Sequence, residues 1–123
     1  MNLSGFTDQQ KQTLLDLLVI GMYADGNLAD AEDATIEGVL DTIKFPSDTA
    51  RQHFIDASFT RARQHLASPE MTRAFVTDIA HHFPTEDLRR KACDDLEELL
   101  SSDHKVVDKE SQLLAIVREE FEL

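Results

Sequence analysis

The chain has 123 residues, with 24 acidic side chains against 12 Lys plus Arg, a formal charge of −12 and 41% hydrophobic residues. That is room for one domain, apolar enough to bury roughly two-thirds of its unfolded surface, and too acidic for a nucleic-acid binder, which needs clustered Lys and Arg for phosphates. Four Gly and three Pro argue against the many turns of a sandwich or barrel, and the single Cys93 excludes an intrachain disulfide. The most apolar stretch, 14–24, is 11 residues long with Asp16 inside it, short of the roughly 20 that cross a bilayer. The first residues hold neither a basic n-region nor an apolar h-region; a cytoplasmic protein without membrane insertion is the expectation.

Helix signals follow in regular order. Thr7 with Gln10 resembles a capping box, and Leu14, Leu17, Leu18, Gly21 and Met22 share one face that Leu15, Val19 and Ile20 broaden, so the first helix should be largely buried. Asp30 caps a second helix whose Ile36, Val39, Leu40 and Ile43 repeat at helical spacing until Pro46. Ser47 caps a third, with Ile55, Phe59, Ala62 and Leu66 in one stripe; Ser58 to Thr60 leave open a break into two shorter helices. Ser68-Pro69 starts a fourth that runs toward Phe83 before Pro84. Thr85 caps a fifth, with Leu88, Ala92, Leu96, Leu99 and Leu100 in its stripe, and a sixth runs from Asp108 with Leu113, Leu114, Val117 and Phe121. The expected fold is an all-α, single-domain bundle of six or seven helices over 1–123, with the first and fifth central.

Charge is uneven. Residues 1–43 carry 8 acids and 1 base, 44–85 carry 4 and 5, and 86–123 carry 12 and 6. Between Lys11 and Lys44 there is no base but seven acids: Asp16, Asp25, Asp30, Glu32, Asp33, Glu37 and Asp41. A shift of 78 residues superimposes Asp16 on Asp94, Leu18 on Leu96, Asp25 on Asp103, Asp30 on Asp108, Glu32 on Glu110, Val39 on Val117 and Ile43 on Phe121. Two copies of helix, acidic loop, helix are expected, at about 7–44 and 85–122, around middle helices at 47–83.

The loops are Ala24-Asp25-Gly26-Asn27-Leu28-Ala29-Asp30-Ala31-Glu32 and Ser102-Asp103-His104-Lys105-Val106-Val107-Asp108-Lys109-Glu110. An Ala/Ser-Asp-Gly, an apolar residue and an acid-rich helix start with Glu seven residues after the Asp, occurring twice in a small acidic helical chain with His104 replacing the Gly in the second copy, resembles the TerB family of tellurite-resistance proteins. The resemblance covers most of the chain but rests on these two motifs. It implies a non-enzymatic, metal-associated interaction protein of the tellurite-resistance and stress-response type, whose acidic surface uses Asp25, Asp30 and Glu32 in one copy and Asp103, Asp108 and Glu110 in the other. Co-chaperones of the DjlA type carry a similar helical domain, which implies a metal-free acidic adaptor docking a basic protein partner, including one at a membrane.

The first loop offers a hard cation Asp25, Asn27, Asp30, Glu32 and a backbone carbonyl. It is not an EF-hand, because positions six and twelve from Asp25 hold Asp30 and Ile36. Weak binding of Ca²⁺, Mg²⁺, Mn²⁺ or Zn²⁺ is the expectation. The second loop has His104 in place of Gly26 and Lys105 in place of Asn27, and an ammonium opposes a cation. The competing reading is that Asp30 and Asp108 are helix caps and Glu32 and Glu110 answer the helix dipole. His81-His82 point about 100° apart on a helix and read as solvated, Cys93 as a buried thiol, and Arg89-Arg90-Lys91 as a salt-bridging face. No phosphate loop, zinc-protease or nucleophile-elbow motif occurs, and no enzyme activity is expected.

Overall fold

A computed structural model describes the backbone of residues 3, 5–25, 30–100 and 108–123, and the side chains of these apart from 24–25, 30–33 and 108–110. Six helices follow in order: α1 (Asp8–Asp25), α2 (Asp30–Leu40), α3 (Asp48–His65), α4 (Pro69–Ala80), α5 (Glu86–Leu100) and α6 (Asp108–Glu120). The described residues contain no strand, so the fold is all-α.

The helix starts obey local chemistry. Thr7 and Gln10 form a reciprocal box: the Gln10 N–H donates to Thr7 Oγ1 at 3.1 Å, and the Thr7 N–H donates to Gln10 Oε1 at 3.0 Å. Ser47 accepts from the Ala50 N–H, Ser68 from the Met71 N–H and Thr85 from the Leu88 N–H, at 3.1, 3.1 and 3.2 Å. Each satisfies one of the donors that a helix start leaves without an intrahelical partner.

The helix ends come earlier than the prolines suggest. α2 stops at Leu40, where 3₁₀-type bonds from Thr42 N–H to Val39 O and from Ile43 N–H to Leu40 O tighten the chain. α4 stops at Ala80 in the same way, with His82 N–H on Ile79 O and Phe83 N–H on Ala80 O. These tight turns drop Ile43 and Phe83 into the core. α3 is one continuous helix across Ser58–Thr60. Thr60 Oγ1 donates back to Asp56 O at 2.9 Å, and Ser58 Oγ donates out of the helix to Asp16 Oδ1 at 2.6 Å.

α1 is the centre of the bundle and touches each of the other five helices. From Leu14 to Met22 every residue except Asp16 is buried, so the helix has apolar neighbours around most of its circumference. α5 packs on α1, α2 and α6 through Ala92, Cys93, Leu96, Leu99 and Leu100, and α6 closes the core with Leu113, Val117 and Phe121. Phe83 sits between Phe6 and Phe121, with ring centroids 5.5 and 6.2 Å away. At about 25 cal/mol per Å² of apolar surface buried, these ring contacts help hold Phe6 and Phe121, near the two chain ends, to Phe83. No described helix is long and apolar enough to cross a membrane.

Candidate functional site

Two glycines report how α1 and α5 lie together. A Cβ at Gly21 would stand 2.8 Å from Leu96 Cδ1, with Leu100 Cδ2 at 3.4 Å and Leu99 Cδ2 at 3.8 Å, so the helices approach here as glycine permits. A Cβ at Gly5, just before α1, would stand 3.2 Å from Lys91 Nζ and 3.9 Å from Leu88 Cδ2. The start of α1 therefore meets the start of α5, and the last turns of both meet as well. The two helices run parallel and end side by side, at Asp25 and Leu100.

α2 and α6 return in the opposite direction. Lys11 Nζ donates to Thr42 O at 3.3 Å, tying the start of α1 to the turn after α2. Arg118 pairs with Glu97, and Arg89 Nη1 lies 3.7 Å from Glu122 Oε2, so the end of α6 reaches the start of α5. Asp30 and Asp108, the first residues of α2 and α6, thus begin at the end of the bundle where α1 and α5 finish. α4 begins there too, because Tyr23 of α1 shares a cleft with Ser68, Pro69 and Thr72.

The expected cation residues have the following backbone positions. Asp25 closes α1, Asp30 opens α2 with Glu32 two residues in, and Asp108 opens α6 with Glu110 two residues in, while Asn27 and Asp103 lie outside the described residues altogether. The side chains of Asp25, Asn27, Asp30, Glu32, Asp103, Asp108 and Glu110 all lie outside the described residues. Among the described residues no three His, Cys, Asp or Glu side chains gather as a metal site. Three helix N-termini at this end, each equivalent to about half a positive charge, favour first-turn carboxylates by roughly 0.3–1 kcal/mol apiece.

The acid run between Lys11 and Lys44 is less isolated in space than in sequence. Arg51 of α3 donates to Asp41 Oδ1 at 2.9 Å and to Glu37 Oε2 at 2.7 Å. Arg61 donates to Asp16 Oδ1 at 2.8 Å, the oxygen that also accepts from Ser58. So α3 supplies cations to three of the seven acids, Asp16, Glu37 and Asp41; the side chains of the other four, Asp25, Asp30, Glu32 and Asp33, lie outside the described residues.

Side chains that hold this end together had no signal in the linear pattern. Tyr23 stands edge-on to Phe59, with centroids 5.7 Å apart, and its hydroxyl accepts from Arg63 Nη1 at 3.0 Å. The guanidinium also lies 5.9 Å from the Tyr23 ring centroid, a favourable place for a cation. Thr72 Oγ1 donates to His65 O at 2.7 Å and to Ser68 O at 3.1 Å, closing the α3–α4 turn. His65 stacks on Phe75 with centroids 4.5 Å apart, and its Nδ1 lies 2.7 Å from Arg61 O.

Other side chains singled out in the sequence have structural places. His81 and His82 are exposed. Arg90 pairs with Glu86 at 2.6 Å, and Arg89 Nε donates to Phe83 O at 2.8 Å. Cys93 is buried, and burial pushes its thiol above the usual range while Arg118 opposes the shift, so at neutral pH the reactive thiolate is suppressed. Comparison with family models, with curated proteins and with solved structures gave no match.

Proposed function

We propose that the chain is a cytoplasmic, non-enzymatic interaction protein of the tellurite-resistance and stress-response type, whose acidic bundle end associates weakly with a divalent cation. The observation that carries this reading is the parallel packing of α1 and α5, which gives both acidic segments the same end of the bundle to start from. The pseudo-repeat is part of the same reading. At the shift of 78, each buried residue of α5, namely Ala92, Cys93, Asp95, Leu96, Leu99 and Leu100, falls on a buried residue of α1. The caps Thr7 and Thr85 correspond, and so do the starts of α2 and α6. Two copies lying side by side in one direction would concentrate Asp25, Asp30 and Glu32 with Asp103, Asp108 and Glu110, and a cation would relieve their mutual repulsion.

The first loop is the stronger site, because Lys105 puts a positive charge where Asn27 offers an amide oxygen; even about 1.4 kcal/mol between the two separates their affinities tenfold. Thermal unfolding across a panel of Ca²⁺, Mg²⁺, Mn²⁺ and Zn²⁺ tests this. A cation at a hundred times its Kd adds about 2.7 kcal/mol of stability, which Asp25→Asn should largely remove. A melting temperature that neither the cations nor a chelator moves would count against the metal reading.

The cleft beside Tyr23 favours a second reading, the metal-free adaptor that docks a basic partner. An apolar recess on a chain of net charge −12 supports that reading.

A further inference from the structure

We draw no further inference here: the strongest candidate, the apolar cleft of about 300 Å³ between the α3–α4 turn and α6, has one acid (Glu70) and one base (Arg63) among the described residues beside it, and nothing in the structure shows what covers it.

Discussion

Replacing two helical glycines by alanine should move stability in opposite directions. In a helix interior Gly is worse than Ala by about 1 kcal/mol, so the substitution is favourable wherever the new methyl group has space. Gly38 of α2 is such a place, with nothing within 4 Å of a Cβ, and Gly38→Ala should stabilise by about 0.5–1 kcal/mol. At Gly21 the methyl would stand 2.8 Å from Leu96 Cδ1 and 3.4 Å from Leu100 Cδ2. Both leucines are at most 1% exposed, so they have no open side to retreat into. Overpacking of this kind costs about 1–3 kcal/mol, which exceeds the propensity gain and leaves Gly21→Ala about 1 kcal/mol less stable than the parent. The two variants should therefore differ by about 2 kcal/mol in urea unfolding, or roughly 8 °C in melting temperature for a chain of this size. If Gly21→Ala stabilised as much as Gly38→Ala, the close approach of α1 to α5 would be refuted, and with it the observation on which the proposed function rests.

Further outcomes follow from individual contacts. Asp16→Ala should destabilise by about 1–3 kcal/mol in urea unfolding, because it leaves the Ser58 hydroxyl, which is 2% exposed, without its acceptor; a change below 0.5 kcal/mol would remove that network from the account. Glu120 accepts from Arg73 at 2.7 Å and from Thr77 at 2.8 Å, and these bonds, Arg73 first, hold its carboxyl below the usual range near about 4.3. A depressed pKa contributes stability that is present above the unfolded value and lost as pH falls through the folded one. Melting temperatures of parent and Glu120→Gln, measured between pH 6 and pH 2, should therefore differ most at pH 6 and converge at the acid end. Cys93 should resist thiol reagents in the native state and react at the rate of opening, accelerating with urea; rapid labelling without denaturant would contradict its burial.

Local chemistry made most helices legible in the sequence. The Thr7–Gln10 box, the Ser47, Ser68 and Thr85 caps and the apolar stripe of Leu14–Met22 are short-range signals, and each occurs where the pattern put it. Helix ends were less legible, because Pro46 and Pro84 mark where a helix cannot continue, whereas the 3₁₀-type turns at Ile43 and Phe83 end it sooner to bury those side chains. The partners of the acids were not legible at all. Arg51 and Arg61 reach Glu37, Asp41 and Asp16 across 10 to 45 residues of sequence, so a stretch with no base in it is neutralised in part from α3. The burial of Asp95 within the α5 stripe and the cleft built from α1, the α3–α4 turn and α6 likewise depend on tertiary packing. For the residues proposed to meet a cation, the sequence supplied type and spacing, and the packing of α1 on α5 showed that α2 and α6 begin at the end of the bundle where α1 and α5 finish.

The most direct test of that shared acidic end is Mn²⁺ titration of the ¹⁵N-labelled protein, since a paramagnetic cation broadens amides near it whichever side chains hold it. The account predicts that broadening begins at 25–32, spreads to 103–110 at higher Mn²⁺ and includes Tyr23 and Gln112, while Lys44 and His82, far along the bundle, stay sharp. Broadening that begins at 103–110, or that spreads over exposed carboxylates such as Glu86 and Glu122 as readily as over 25–32, would contradict it.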